Sequence, residues 1–195
     1  MIISFGTICS SLMSERLTRK LGVNIVTVCS VLLTAIALYG FSTASAFWML
    51  CLWGIPYGLG AGAIDAALNN YVALHYNSRH MSWLHCFWGL GTIISPYIMS
   101  YALTTSVWQN GYRMVSFLQI GITVILLVTL PVWKVNRKED EQKAEQSAVI
   151  GIHGALKIKG VPQLLLGFFS YCALESTLLL WSSSCLLYTS PSPRD

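Results

Sequence analysis

Charge is what this sequence has least of. Only 10% of its 195 residues are Asp, Glu, Lys or Arg, while 54% are apolar; an ordinary soluble domain carries about a quarter charged residues. A water-soluble protein of this length clothes its core with ionised side chains, and this chain has too few to do so. Chemical motifs are equally scarce. Six cysteines (Cys9, Cys29, Cys51, Cys86, Cys172 and Cys185) are scattered without CxxC or other metal-ligand spacing, so they read as small buried hydrophobes. There is no HExxH pair and no Walker loop, which leaves neither a metal nor ATP-driven transport written in the chain. Gly58-x-Gly60-x-Gly62 lacks the spacing and the strand–helix setting of a dinucleotide fingerprint. No cofactor is expected, and no enzyme.

What the sequence does have is apolar length. A bilayer core of about 30 Å takes roughly 20 apolar residues as helix. Val23–Phe41, Phe47–Tyr71, Met81–Leu103 and Tyr112–Trp133 meet that length, and Val161–Ser184 follows after a polar stretch. The opening run, Met1–Met13, is apolar but shorter; it reads as the second half of a span whose beginning is missing. The expected fold class is therefore all-α, a multi-pass transmembrane helical bundle embedded in a lipid bilayer. Residues 1–133 form a partial transmembrane domain, 134–160 a cytoplasmic loop, 161–184 the first helix of a second domain and 185–195 a Ser/Pro tail that reads as non-native.

The few cations sort by connection. Arg16, Arg19 and Lys20 lie in the first connection, Arg79 in the third, and Lys134, Arg137, Lys138, Lys143, Lys157 and Lys159 in the fifth. The second holds none, and Arg113 stands just past the fourth. Cytoplasmic loops collect Lys and Arg, so the odd connections are expected inside. The net charge of +4 is then a topology signal and gives no reason to expect nucleic acid. Trp48, Trp83, Trp108 and Trp133 fall near span ends, suiting the headgroup region, whereas Trp53 and Trp88 sit deeper and are expected to pack between helices.

An ionisable side chain at mid-membrane costs about 2.5–3.5 kcal/mol on insertion scales, and two acids accept that cost, Asp65 and Glu175. At helical pitch Gly54, Gly58, Gly62, Asp65 and Asn69 share one face. The glycines form a small-xxx-small ridge for close helix approach. Asp65 and Asn69 either hydrogen-bond a neighbouring helix or line a polar cavity, and the carboxylate favours the cavity. The next span carries Ser82, His85, Gly89, Thr92, Pro96 and Ser100 as a second small and polar stripe; His85 reads equally as a titrating group or a packed one. Tyr112, Ser116, Gln119 and Thr123 share a face that interhelical hydrogen bonding accounts for. In the last span Phe168, Tyr171, Cys172, Glu175 and Ser182 place a carboxylate among aromatic rings, an environment suited to a sugar-like solute.

Three segments resemble the major facilitator superfamily, and within it the fucose-permease-like sugar:proton symporters. Ser14-Glu15-Arg16-Leu17-Thr18-Arg19-Lys20-Leu21-Gly22 resembles the basic loop between the second and third helices. Ser11 stands where that motif has glycine, Glu15 where it has aspartate, and two extra residues precede Gly22. Gly58 to Tyr71 is similar to the fourth helix, and His85-Cys86-Phe87-Trp88-Gly89-Leu90-Gly91 with Pro96 to the fifth. Tyr171-Cys172-Ala173-Leu174-Glu175-Ser176-Thr177 is similar to the seventh.

The resemblance implies a chain running from the end of helix two through helix seven, with the remainder of the same protein as partner. It implies two halves, each of inverted three-helix repeats, with the solute site near mid-membrane. Residues Asp65, Asn69, His85, Tyr171 and Glu175 are then expected at the solute and proton site, and Glu15 and Arg16 at a gating loop. The expected function is secondary active transport of a small, sugar-like solute by alternating access, with H+ as coupling ion, in a bacterial inner (plasma) membrane. The fragment alone is expected to be inactive. An exporter of hydrophobic compounds, or a membrane sensor or scaffold on the same fold, is the alternative.

Overall fold

In the computed structural model of the chain, residues 1–132, 154 and 156–189 are described. The expected inter-domain loop 134–160 and the tail 185–195 fall largely outside them. All regular structure among the described residues is helical: α1 Ile2–Leu21, α2 Val23–Thr43, α3 Phe47–His75, α4 Ser78–Thr105, α5 Trp108–Thr129 with a short 3-10 turn at Leu130–Val132, and α6 Val161–Thr189. Five of these, α2 to α6, are long and apolar enough to cross a membrane. The chain forms two compact units, Met1–Glu141 and Gln142–Asp195.

Several helix ends differ from the sequence expectation by a few residues, and two boundaries differ most. The basic segment expected as a connection is helix as far as Leu21, and Gly22 alone separates α1 from α2. Ser14 to Leu21 holds no Pro or Gly, and a Glu15–Arg19 ion pair one turn apart (3.5 Å) supports it. Gly22 breaks the run because its φ of 87° lies in the left-handed region that glycine tolerates; its N–H caps Thr18 O at 2.9 Å. At the other end α6 continues past Ser184 to Thr189, since no helix breaker occurs before Pro191.

Within the first unit α3 packs against α1 and α2, and α5 against α2 and α4. The α1–α3 pair runs parallel and close. A Cβ on Gly62 would sit 2.8 Å from Thr7 Cα, and one on Gly58 would collide with the Ile3 carbonyl, so the ridge is seated backbone to backbone. That proximity brings α1 hydroxyls onto α3 carbonyls: Ser10 donates to Leu59 O, Ser11 to Gly62 O at 3.2 Å and Ser14 to Ala63 O at 3.2 Å.

A second close approach lies on another face of α3. Gly60 sits where a Cβ would meet Ser30 O at 2.8 Å, and Trp53 covers Gly40 of α2. Phe41 of α2 contacts Tyr57 of α3 (5.8 Å) and Tyr112 of α5 (5.5 Å) between ring centroids. Ser116 of α5, fully buried, donates to Ala35 O at 2.9 Å. Helix α2 is the most buried span, at 67%, whereas the α4 span is 6% buried. Pro56 and Pro96 stand inside α3 and α4 without interrupting either helix.

Candidate functional site

The first unit holds an open cavity of about 490 Å³ to which all five of its helices contribute. Helix α3 supplies most of the wall, through Tyr57, Ala61, Ile64, Asp65, Leu68 and Asn69. Leu84, His85 and Trp88 come from α4, and Thr7, Thr34 and Gln119 from α1, α2 and α5. A volume of about 300–1,000 Å³ with a few polar groups on an apolar wall is usual for a small-molecule site.

The α3 residues follow from helical pitch. Tyr57, Ala61, Asp65 and Leu68 recur every three or four positions, so they stack on one face. That face lies beside the glycine ridge. Gly54, Gly58 and Gly62 meet Ile3 and Thr7 of α1, while Asp65 and Asn69 turn away from this contact and line the cavity. The single stripe read from the sequence is thus two neighbouring stripes, one for packing and one for the cavity.

The polar groups are arranged in pairs. Asn69 Nδ2 donates to Asp65 Oδ1 at 2.9 Å, one turn apart on α3. Asn69 Oδ1 is buried and accepts no hydrogen bond from the described residues. On the α2–α5 side, Gln119 Nε2 donates to Thr34 Oγ1 at 2.8 Å. His85 approaches from α4 as a further titratable group on the lining. No Lys or Arg lines the cavity, so Asp65 is its one carboxyl group, beside the His85 imidazole and the Tyr57 phenol.

Three of the expected site residues are therefore brought together: Asp65, Asn69 and His85. Tyr171 and Glu175 belong to the second unit, one turn apart on α6, where Phe168 packs against the Tyr171 ring at 6.3 Å. Glu15 and Arg16 lie on the exposed C-terminal part of α1; Glu15 pairs with Arg19 within the helix, and among the described residues Arg16 forms no ion pair. Groups of three or more His, Cys, Asp or Glu that could hold a metal are absent from the described residues.

Five polar or aromatic lining residues escaped sequence reasoning, and the first of them, Tyr57, gave no signal within its apolar run. Trp88 was expected between helices, yet it is 56% exposed and borders the cavity. Gln119 read as a packing residue, and Thr7 and Thr34 gave no signal because threonine in a membrane helix usually bonds its own backbone. Both do so here, Thr7 to Ile3 O at 3.0 Å and Thr34 to Val31 O at 2.8 Å.

The first unit is thus a bundle of apolar spans around a cavity that sets a few polar groups on an apolar wall. The sequence profile described as Major Facilitator Superfamily matches residues 1–190, and the chain belongs to that family; it is an integral, multi-pass membrane protein. Among curated proteins it is similar to "Bypass of stop codon protein 6" of Saccharomyces cerevisiae, with 24% identity over 97% of this chain and 42% of the yeast protein. The chain thus spans less than half the length of that relative. No solved structure matches it significantly.

Proposed function

We propose that this chain is part of a secondary active transporter that moves a small, sugar-like solute by alternating access, coupled to H+ through Asp65. The observation that carries the reading is the convergence of Asp65, Asn69 and His85, from two helices, on one cavity without a Lys or Arg. Hydroxyl and amide groups from Thr7, Asn69 and Gln119 suit sugar hydroxyls, and the Tyr57 and Trp88 rings suit the apolar faces of a sugar ring.

Desolvation favours the neutral form of a carboxyl, whereas contact with water favours the anion. A cavity that alternates between closed and open therefore loads and releases a proton at such a group. Solute hydroxyls bound to the same carboxyl link the two events, since each occupant changes the other's affinity. Tyr171 and Glu175 are read as a further solute- or proton-binding pair in the second unit, and Glu15 and Arg16 as gating residues. The likeness to sugar:proton symporters carries the placement in a bacterial inner (plasma) membrane.

Uptake of 14C-labelled hexoses by the full-length protein in proteoliposomes tests the reading. An inward proton gradient is expected to stimulate uptake, and Asp65→Asn to abolish that stimulation. Uptake indifferent to the gradient and unchanged in Asp65→Asn refutes proton coupling at this residue. The apolar wall of Ile64, Leu68 and Leu84 favours a second reading, export of hydrophobic compounds; gradient-driven dye efflux with no hexose uptake would select it.

A further inference from the structure

Gln119 sits on α5, opposite the acid-bearing helix, and its amide is locked in one orientation. Thr34 Oγ1 is 2.8 Å from the Val31 carbonyl, to which it donates its single hydrogen. The same oxygen can therefore only accept from Gln119, which fixes the amide nitrogen towards Thr34 at 2.8 Å. The lock is rigid because Thr34 is 5% exposed and Ser116, one turn before Gln119, is clamped onto Ala35 O of α2. One turn after Gln119, Thr123 is likewise buried and donates to the Gln119 carbonyl at 2.8 Å. Gln119 Oε1 accepts no hydrogen bond from the described residues, and the side chain that bears it lines the cavity.

We propose that Gln119 is a solute-contacting residue whose amide oxygen accepts a hydroxyl of a neutral polyhydroxylated solute, and that Thr34 is the positioning residue that aims it. The inference rests on the transporter reading above and extends it to a second pole of the site. Asp65 with Asn69 on α3 forms one pole, and Gln119 on α5 the other. Thr7 adds a further acceptor, since its hydroxyl hydrogen is spent on Ile3 O. The remaining N–H groups of Asn69 and Gln119 and the Tyr57 hydroxyl supply donors on the same wall. A polyol, whose every hydroxyl both donates and accepts, satisfies such a mixed lining; an ammonium group, which only donates, leaves those N–H groups unanswered. An anionic solute would meet the Asp65 carboxyl with no cation to offset it.

The test uses the full-length protein in proteoliposomes, a hexose found to be transported among 14C-labelled hexoses, and its monodeoxy analogues. Gln119→Leu is expected to raise KM about tenfold, the worth of one well-made hydrogen bond, with the maximal rate retained. One monodeoxy hexose should bind the wild type about tenfold worse than the parent, and that deficit should vanish in Gln119→Leu. Thr34→Val should reproduce a smaller KM increase, and Thr34→Ser should restore the wild-type value; a merely structural role would lower the melting temperature in detergent and leave the analogue pattern intact. Equal KM in wild type and Gln119→Leu, while Asp65→Asn still abolishes gradient stimulation, overturns this inference alone. Absence of hexose uptake by the wild type overturns both readings, and tighter competition by a protonated amine than by any hexose overturns the polyol assignment.

Discussion

A side chain can be held in place for a ligand at no profit to the fold, and we propose that Asn69 is such a residue. Its Nδ2 fixes Asp65 Oδ1 at 2.9 Å, while its Oδ1 is buried and bonds to none of the described residues. An unsatisfied buried oxygen costs about 1–3 kcal/mol, so the pair does not exist to stabilise α3. Replacing Asn69 by Ala removes the orphaned oxygen together with the bond to the carboxyl. The melting temperature in detergent is expected to hold or rise slightly, while hexose KM rises about three- to tenfold as Asp65 loses its tether. A large fall in melting temperature with unchanged KM would make Asn69 a packing residue instead. The same scale explains what the sequence hid. Asp65 and His85 stood out because ionisable groups are rare in spans, whereas Gln119 and Thr34 are neutral and common there; only the bond across α2 and α5 distinguishes them.

Among the elements, the decisive contact is the glycine ridge of α3 against α1. Gly62 packs on Thr7 so closely that an added Cβ would stand 2.8 Å from Thr7 Cα, and backbone atoms cannot swing aside as a side-chain tip can. Gly62→Ala is expected to destabilise the bundle by about 1–3 kcal/mol, as overpacking does, and to break the Ser11 and Ser14 hydrogen bonds along the seam. Gly89→Ala on α4 is the matched control, since nothing lies within 4 Å of its added Cβ; it should be neutral or slightly stabilising by helix propensity. Thermal unfolding in detergent separates the two, and equal effects would refute the ridge assignment.

The spans and this ridge were legible in the sequence because length and i, i+4 spacing encode them directly. Helix ends were less so: charge marked Ser14–Gly22 as a connection, but charged residues with no Pro or Gly continue a helix, and α1 runs on to Leu21. Gly60 was missed for a related reason. It lies off the ridge stripe, and only the presence of α2, with Ser30 O and Thr34 behind it, reveals a second close approach.

For the first unit as a whole, packing and charge make one joint statement about the membrane. Neighbouring helices alternate in direction: Phe41 at the end of α2 meets Tyr112 at the start of α5, and Gly40 meets Trp53 near the start of α3. The α1–α3 contact progresses in step from Ile3–Gly58 to Ser14–Ala63, so those two helices point the same way. Alternation puts the α1–α2 break and the α3–α4 turn on one side, and the α2–α3 and α4–α5 turns on the other. Arg16, Arg19, Lys20 and Arg79 all fall on the first side, which the positive-inside rule makes cytoplasmic. In a variant with the six cysteines of this chain replaced by serine, Ser45→Cys and Ser106→Cys should react with a membrane-impermeant maleimide in intact cells. Asn77→Cys should react only after permeabilisation. Neutralising Arg16, Arg19 and Lys20 to Gln should weaken that asymmetry, because each central span is apolar and charge supplies the orientation. Labelling of Asn77→Cys from outside in the unaltered charge background would invert the topology and place the α1 basic end outside.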